Sequence, residues 1–242
     1  MPLVLAATTP GEPEIFASLQ GEGPSQGRPC AFVRLSRCNL ACVWCDTAYT
    51  WRFTGDNRPH RAGQTFERKA NQVALSEEEA ATRIAALGQD RLVVTGGEPL
   101  LQAPALARML ALLPDKRVEI ETNGTVAPSA ALVQACPDFN VSPKLRNSDV
   151  ASERRIVPQA LRAFARSGLA RFKFVVQDSA DLAEIEELER EFGLSPIWVM
   201  PEGTTQAAVL EGMRALVEEA ASRGWRLGSR MHVLLWGDER GR

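Results

Sequence analysis

The sequence predicts an α/β fold: an open or partial β/α barrel of about six mainly parallel strands, formed by one domain over residues 1–242. Two patterns point there. Short β-branched or apolar runs alternate with Ala-, Leu- and Glu-rich stretches of helical period, the rhythm of βα units. Polar residues stand at the ends of those runs, at 95–98, 121–124, 142–144, 177–178 and 201–203. Parallel α/β folds gather their chemistry at those strand ends. A closed barrel of this class needs about eight strands, so about six leave it open.

The elements follow in order. The opening MPLVLAATTPGEPEIF carries a short apolar run without a basic stretch before it, and reads as an extended segment rather than a signal peptide. Strands are predicted at CAFVRLS (30–36), RLVVTGG (91–97), RVEIETNG (117–124), DFNVSPK (138–144), RFKFVVQD (171–178) and PIWVMPEG (196–203). The helix SEEEAATRIAALG opens on Ser76 as N-cap, has Glu79 at the capping-box position and stops at Gly88. APALARMLALLP, VPQALRAFARSG, ADLAEIEELEREFG and TQAAVLEGMRALVEEAASRG have similar boundaries. MHVLLW is a candidate last strand within a C-terminal extension, 225–242. Residues 49–75 break the rhythm with mixed charges and no period, and are expected to form an insertion, either a lid or a disordered loop.

Composition narrows the function classes. The chain is 45% hydrophobic and 24% charged with net charge −2, which gives no support for a nucleic-acid surface. No apolar run approaches the roughly 20 residues of a membrane span. Five cysteines at this spacing do not suggest a secreted disulfide framework, so the expected setting is the cytoplasm with reduced thiols.

Three of those cysteines crowd into RLSRCNLACVWCDTAYTW, at Cys38, Cys42 and Cys45. Two metal centres compete for them. Tetrahedral zinc wants four ligands, and the candidates for a fourth are Cys30 and His60. A cubane 4Fe-4S cluster held by three cysteines keeps one iron open for an outside ligand, and needs no distant fourth residue.

CxxxCxxC with an aromatic before its last cysteine resembles the signature of the radical S-adenosylmethionine (SAM) enzymes, and TGGEP resembles their glycine-rich motif. The likeness extends further. SLQGEG, Arg34, CDT, TGGEP, ETNGT, SPK and MPEG, spread over residues 14–203, resemble the 7-carboxy-7-deazaguanine synthase family of the 7-deazapurine (queuosine) pathway. The resemblance implies a carbon–nitrogen lyase. Its 5′-deoxyadenosyl radical takes a hydrogen from C6 of 6-carboxy-5,6,7,8-tetrahydropterin, and the ring then contracts with loss of ammonia.

The same resemblance implies the site. Cys38, Cys42 and Cys45 would ligate the 4Fe-4S cluster. Trp44, Asp46, Gly97, Ser142, Pro143, Lys144 and Gln177 would hold SAM. Leu19, Gln20, Gly21, Glu22, Arg34 and Thr95 would meet the substrate, whose edge and carboxylate suit amide, carboxylate and guanidinium partners. Thr47 would ligate Mg2+, a hard cation that takes oxygen. A flavodoxin-like electron donor and a homodimer are also implied.

Plainer readings stand beside these. Arg34 could form a surface ion pair, QGEG a turn, and residues 121–123 and 177–178 helix caps. Cys136 reads as a passive apolar residue, Trp198 and Trp225 as core or half-buried, and His60 and His232 carry no assigned role. Two other functions remain open: another radical SAM enzyme such as a glycyl-radical activase, and a zinc-stabilised binding module.

Overall fold

The computed structural model describes residues 2–135 and 138–241, so Cys136 lies outside the described residues. The chain opens with β1 (Leu3–Thr9), β2 (Glu12–Pro13), β3 (Ile15–Leu19) and β4 (Pro29–Leu35). After α1 (Arg68–Asn71) come β5 (Gln72–Leu75), α2 (Glu77–Ala86), β6 (Arg91–Gly96), α3 (Ala103–Ala111), β7 (Arg117–Thr122), α4 (Ala130–Ala135) and β8 (Asp138–Val141). Helices α5 (Ser152–Arg155) and α6 (Pro158–Ser167) lead to β9 (Ala170–Val176), α7 (Ser179–Phe192), β10 (Ile197–Pro201), α8 (Gln206–Ser222), β11 (Arg226–Leu227) and α9 (Met231–Trp236).

All six strands expected from the sequence form, and they lie side by side in chain order as β4-β6-β7-β8-β9-β10, each pair parallel. The short β11 extends this run in parallel beside β10. On the other side of β4 the strands are antiparallel: β3 and β1 pair with it, and β2 and β5 pair with β1. The 11-stranded sheet runs from β11 to β2 without closing, an open α/β sheet as expected.

The helices stop where their capping chemistry dictates. Ser76 and Glu79 form the reciprocal capping box of α2, and Gly88 follows it at φ +68. Asp178 and Asp181 cap α7 in the same way. Strand alternation then sorts the two faces. Val118 and Ile120 of β7, with Phe172 and Phe174 of β9, join the buried core built with α3, α6 and α7. Glu119, Glu121 and Lys173 alternate with them and so face away from that core.

MHVLLW and the 49–75 segment depart from expectation, whereas the amino-terminal segment is extended as expected. MHVLLW is helix α9, not a strand, because β11 already occupies the edge beside β10. A short apolar run cannot be told from a helix turn by period alone. The extended amino-terminal segment supplies strands of the sheet itself. Residues 49–75 are ordered: Tyr49, Trp51 and Phe53 are buried, and β5 pairs with β1 from Leu3 to Ala6. Arg52 holds the intervening loop by donating to the carbonyls of Arg58, Gly63 and Gln64. Both tryptophans fall within expectation: Trp225 is buried, and Trp198 is half-buried under the Arg226 guanidinium.

Candidate active site

The cysteine loop springs from the C-terminal end of β4. Arg37, just before Cys38, sits in the left-handed region at φ 77, a cost for a non-glycine residue that the neighbouring structure sustains. Its N–H donates to Thr50 O at 2.8 Å and its carbonyl accepts from Glu98 N at 2.9 Å. The 49–75 segment thus buttresses the loop from outside. Trp51 Nε1 donates to Cys45 Sγ at 3.4 Å, and His60 Nε2 lies 2.8 Å from Cys45 O.

The glycines of TGGEP owe their identity to the protein's own backbone. A Cβ on Gly96, at φ +145, would overlap the Leu35 carbonyl, and one on Gly97 would overlap that of Arg37. This close approach lets Gly97 N donate to Leu35 O at 3.0 Å. Glu98 is fully buried and ties the β6 loop to the end of β7, accepting from Thr122 Oγ1 at 2.8 Å and Asn123 N at 2.7 Å. Burial raises its pKa, against the pull of these hydrogen bonds.

A cavity of about 250 Å³ opens at the C-terminal ends of the parallel strands. Cys38, Cys42 and Cys45 line it, as does Thr47. So do Leu19, Gln20, Gly21, Glu22, Arg34 and Thr95, and also Trp44, Asp46, Gly97, Ser142 and Lys144. Pro143 is buried and Gln177 is exposed, and neither reaches the cavity wall. Lys144 Nζ donates to Ser142 Oγ at 2.8 Å and lies 5.8 Å from the centre of the Trp44 ring. Gln20 is committed to the protein, donating from Nε2 to Glu119 at 2.5 Å and Glu121 at 3.2 Å. Asn123 makes a turn with Thr125 and also donates to Asn39 Oδ1 at 3.0 Å.

Charged side chains, with Lys173 and Arg230 buried among them, organise a further part of the wall. Lys173 Nζ lies 2.6 Å from Glu22 Oε2 and 2.8 Å from Glu121 Oε2. Arg230 reaches Glu22 Oε1 at 3.3 Å, donates to Gly203 O at 2.5 Å and pairs with Asp46. Burial opposes the charge on Glu22, but Lys173, Arg230 and His232 outweigh it and hold the carboxyl well below its ordinary range. Desolvation beside the cavity opposes the charge on Asp46, but the Arg230 guanidinium outweighs it and lowers this carboxyl too. Lys173 is raised despite desolvation because two carboxylates face it. Gly21 lets His232 pack there, since a Cβ would overlap the imidazole ring.

Lys173, Glu121, Arg230 and His232 join the cavity wall without having been assigned a role from the sequence. Lys173 had a signal: a charge between two phenylalanines in a strand expected to be buried on both faces. Arg230 and His232 had none, because the fold of the last segment decides their place.

The donors fit a cluster better than zinc. Among the described residues no group of three His, Cys, Asp or Glu side chains closes on one ion. A cubane spreads its thiolates over different irons, whereas zinc gathers four donors at one point. Neither proposed fourth ligand joins the thiols: Cys30 packs with Phe32 and Val93, and His60 Nε2 is engaged by a carbonyl. Burial raises the Cys38 and Cys42 thiols to about 12, so metal loading must displace their protons.

The radical SAM superfamily profile matches residues 33–220. The 7-carboxy-7-deazaguanine synthase of Pyrobaculum aerophilum is 36% identical over 234 residues, covering 95% of this chain and 96% of that protein. The synthase of Halobacterium salinarum is 36% identical over 252 residues, covering 93% and 90%. The crystal structure of QueE from Escherichia coli superposes with a TM-score of 0.65 at 26% identity, covering 92% of this chain and 93% of that one. Radical SAM chemistry rests on a 4Fe-4S cluster and SAM, which accords with the three-thiol wall. The chain belongs to the radical SAM superfamily and, within it, to the 7-carboxy-7-deazaguanine synthase family.

Proposed function

We propose that this chain converts 6-carboxy-5,6,7,8-tetrahydropterin to 7-carboxy-7-deazaguanine with loss of ammonia, as a step of 7-deazapurine biosynthesis. One observation carries the reading: a single cavity joins the three thiols to a polar wall containing Glu22 and Arg34. Another radical SAM reaction or a zinc-stabilised module gives no reason for that polar wall.

Cys38, Cys42 and Cys45 would hold the cluster, and Trp44, Asp46, Gly97, Ser142 and Lys144 would form the SAM side of the cavity. With SAM bound, the cluster supplies the radical chemistry that activates a carbon–hydrogen bond of the substrate. The chain's own residues select and orient. Arg34 uses Nε for Glu14, at 2.5 Å, and its two Nη groups suit a carboxylate fork. Glu22, ionised between cations, offers a fixed acceptor to the pterin edge. Lys173 and Arg230 keep that acceptor in place. Thr47 would present its hydroxyl oxygen to Mg2+ beside the substrate carboxylate. Pro143 and Gln177 stay with the SAM side as supporting positions. A flavodoxin-like donor would deliver the electron, and the working protein would be a cytoplasmic homodimer.

The test is turnover by anaerobically reconstituted protein given SAM, a reductant and the tetrahydropterin. Mass spectrometry should find 7-carboxy-7-deazaguanine. Bound cluster and bound SAM without that product would overturn the proposal, and stoichiometric zinc without iron would favour the binding module.

A further inference from the structure

We propose that Arg240, beyond α9, is a positioning residue for the active site: it holds Glu14 so that Arg34 keeps its guanidinium fork for the substrate. The inference rests on the function proposed above and extends it to a residue outside the cavity.

The geometry centres on one carboxylate. Glu14 is fully buried, and its two oxygens have separate partners. Oε1 accepts from Arg34 Nε at 2.5 Å and from the Tyr49 hydroxyl at 3.1 Å. Oε2 accepts from Arg240 Nε at 3.1 Å. Arg240 is itself caged. Nη1 donates to Asn71 Oδ1 at 3.2 Å, Nη2 donates to the Ala7 carbonyl, and the guanidinium lies 3.5 Å over the Tyr49 ring. Strand β1, the 49–75 segment and the residue before β3 therefore converge on one side chain. An arginine serving only solubility has no need of that enclosure.

The chemistry explains why a second arginine matters. A carboxylate facing one guanidinium prefers the two-toothed arrangement, in which both oxygens take parallel N–H donors. Arg240 occupies Oε2, so Arg34 can engage Glu14 only through Oε1 and Nε. Its Nη groups make no hydrogen bond among the described residues, and the side chain lines the cavity. Without Arg240, Oε2 loses its donor inside a buried site. The carboxylate then turns to chelate Arg34 and draws the fork away from the substrate. Arg240 acts through Glu14 and touches neither cluster nor substrate.

The experiment compares R240A and R240K with the native protein, all cluster-loaded under anaerobic conditions. R240A should raise KM for the tetrahydropterin about tenfold, the scale of one misaligned charge-assisted contact, with a smaller change in kcat. Iron content and SAM affinity should stay at native values. R240K should recover part of the loss, and millimolar guanidinium added to R240A should lower KM again. A native KM in R240A would overturn the inference. So would a joint fall of iron content, SAM affinity and turnover without guanidinium rescue, which marks a folding role alone. The crystal structure of cluster-loaded R240A provides a readout independent of turnover, with Arg34 expected to take both oxygens of Glu14. If the native protein does not convert the pterin, the proposed function falls. That structure then decides the positioning role: an unmoved Arg34 overturns it, and a chelated one upholds it.

Discussion

Lys173 on β9 holds its ammonium 2.6 Å from Glu22, which lies just past β3. The same nitrogen meets Glu121 at 2.8 Å, so one buried cation serves two half-buried carboxylates. Replacing it by methionine leaves both acids without their shared partner. K173M should lose about 3 kcal/mol, the low end of the range for breaking a buried pair on one side, because Arg230 stays with Glu22 and both acids keep some contact with water. Anaerobic urea unfolding measures this, and a loss under about 1 kcal/mol would mean that water already compensates these acids.

Acid sensitivity follows from Glu22. Its folded-state pKa lies below the ordinary value of 4.5, because Lys173, Arg230 and His232 together overcome the effect of burial. A lowered carboxylate contributes stability that is fully present above the unfolded value and is lost as pH falls through the acid range. The native protein should therefore lose stability more steeply below about pH 4.5 than E22Q does. Melting temperatures between pH 7 and pH 3 check this. Parallel curves would assign the acid limb to other groups.

The Trp51 indole N–H donates to Cys45 Sγ at 3.4 Å. Hydrogen bonds to cluster sulfurs stabilise the reduced, more negative state and raise the reduction potential. W51F should keep its iron yet show a cluster midpoint a few tens of millivolts more negative. A redox titration followed by electron paramagnetic resonance reads the shift. An unchanged midpoint would remove Trp51 from any tuning role.

Gly96 tests the origin of the glycine motif. A Cβ there would overlap the Leu35 carbonyl, at a φ that other residues rarely adopt. G96A should cost about 2–4 kcal/mol, as strain at a special backbone position does, and lower iron uptake by shifting the turn before Cys38. Iron quantification after reconstitution, beside a thermal melt, separates the two effects. Native stability with native iron would contradict the close packing.

Much of the fold was legible because its signals are local. RLVVTGG and RVEIETNG announce strands through β-branched runs that end in polar turns, and Ser76 with Glu79 announces a helix start within four residues. MHVLLW misled for the same reason: six apolar residues fit either period, and the prior claim of β11 on the sheet edge is not written in them. The 49–75 segment looked structureless because its order comes from Arg52 reaching its own loop carbonyls and from β5 pairing with β1, neither of which leaves a period.

The site divides along the same line. Sequence alone determined the three-thiol loop, the glycine turn beside it, the six strands of the parallel run and the family whose motifs they carry. Those features depend on spacing within a strand and its following turn, where neighbours in the chain are neighbours in space. Tertiary structure alone decided that Lys173 would neutralise Glu22, that Arg230 would bridge Glu22 and Asp46, and that Arg240 would close on Glu14. Each pairing joins segments far apart in the chain. Only the assembly of the sheet with its helices, driven by burial of its apolar face, brings their charges within reach and excludes enough water to make the contacts strong.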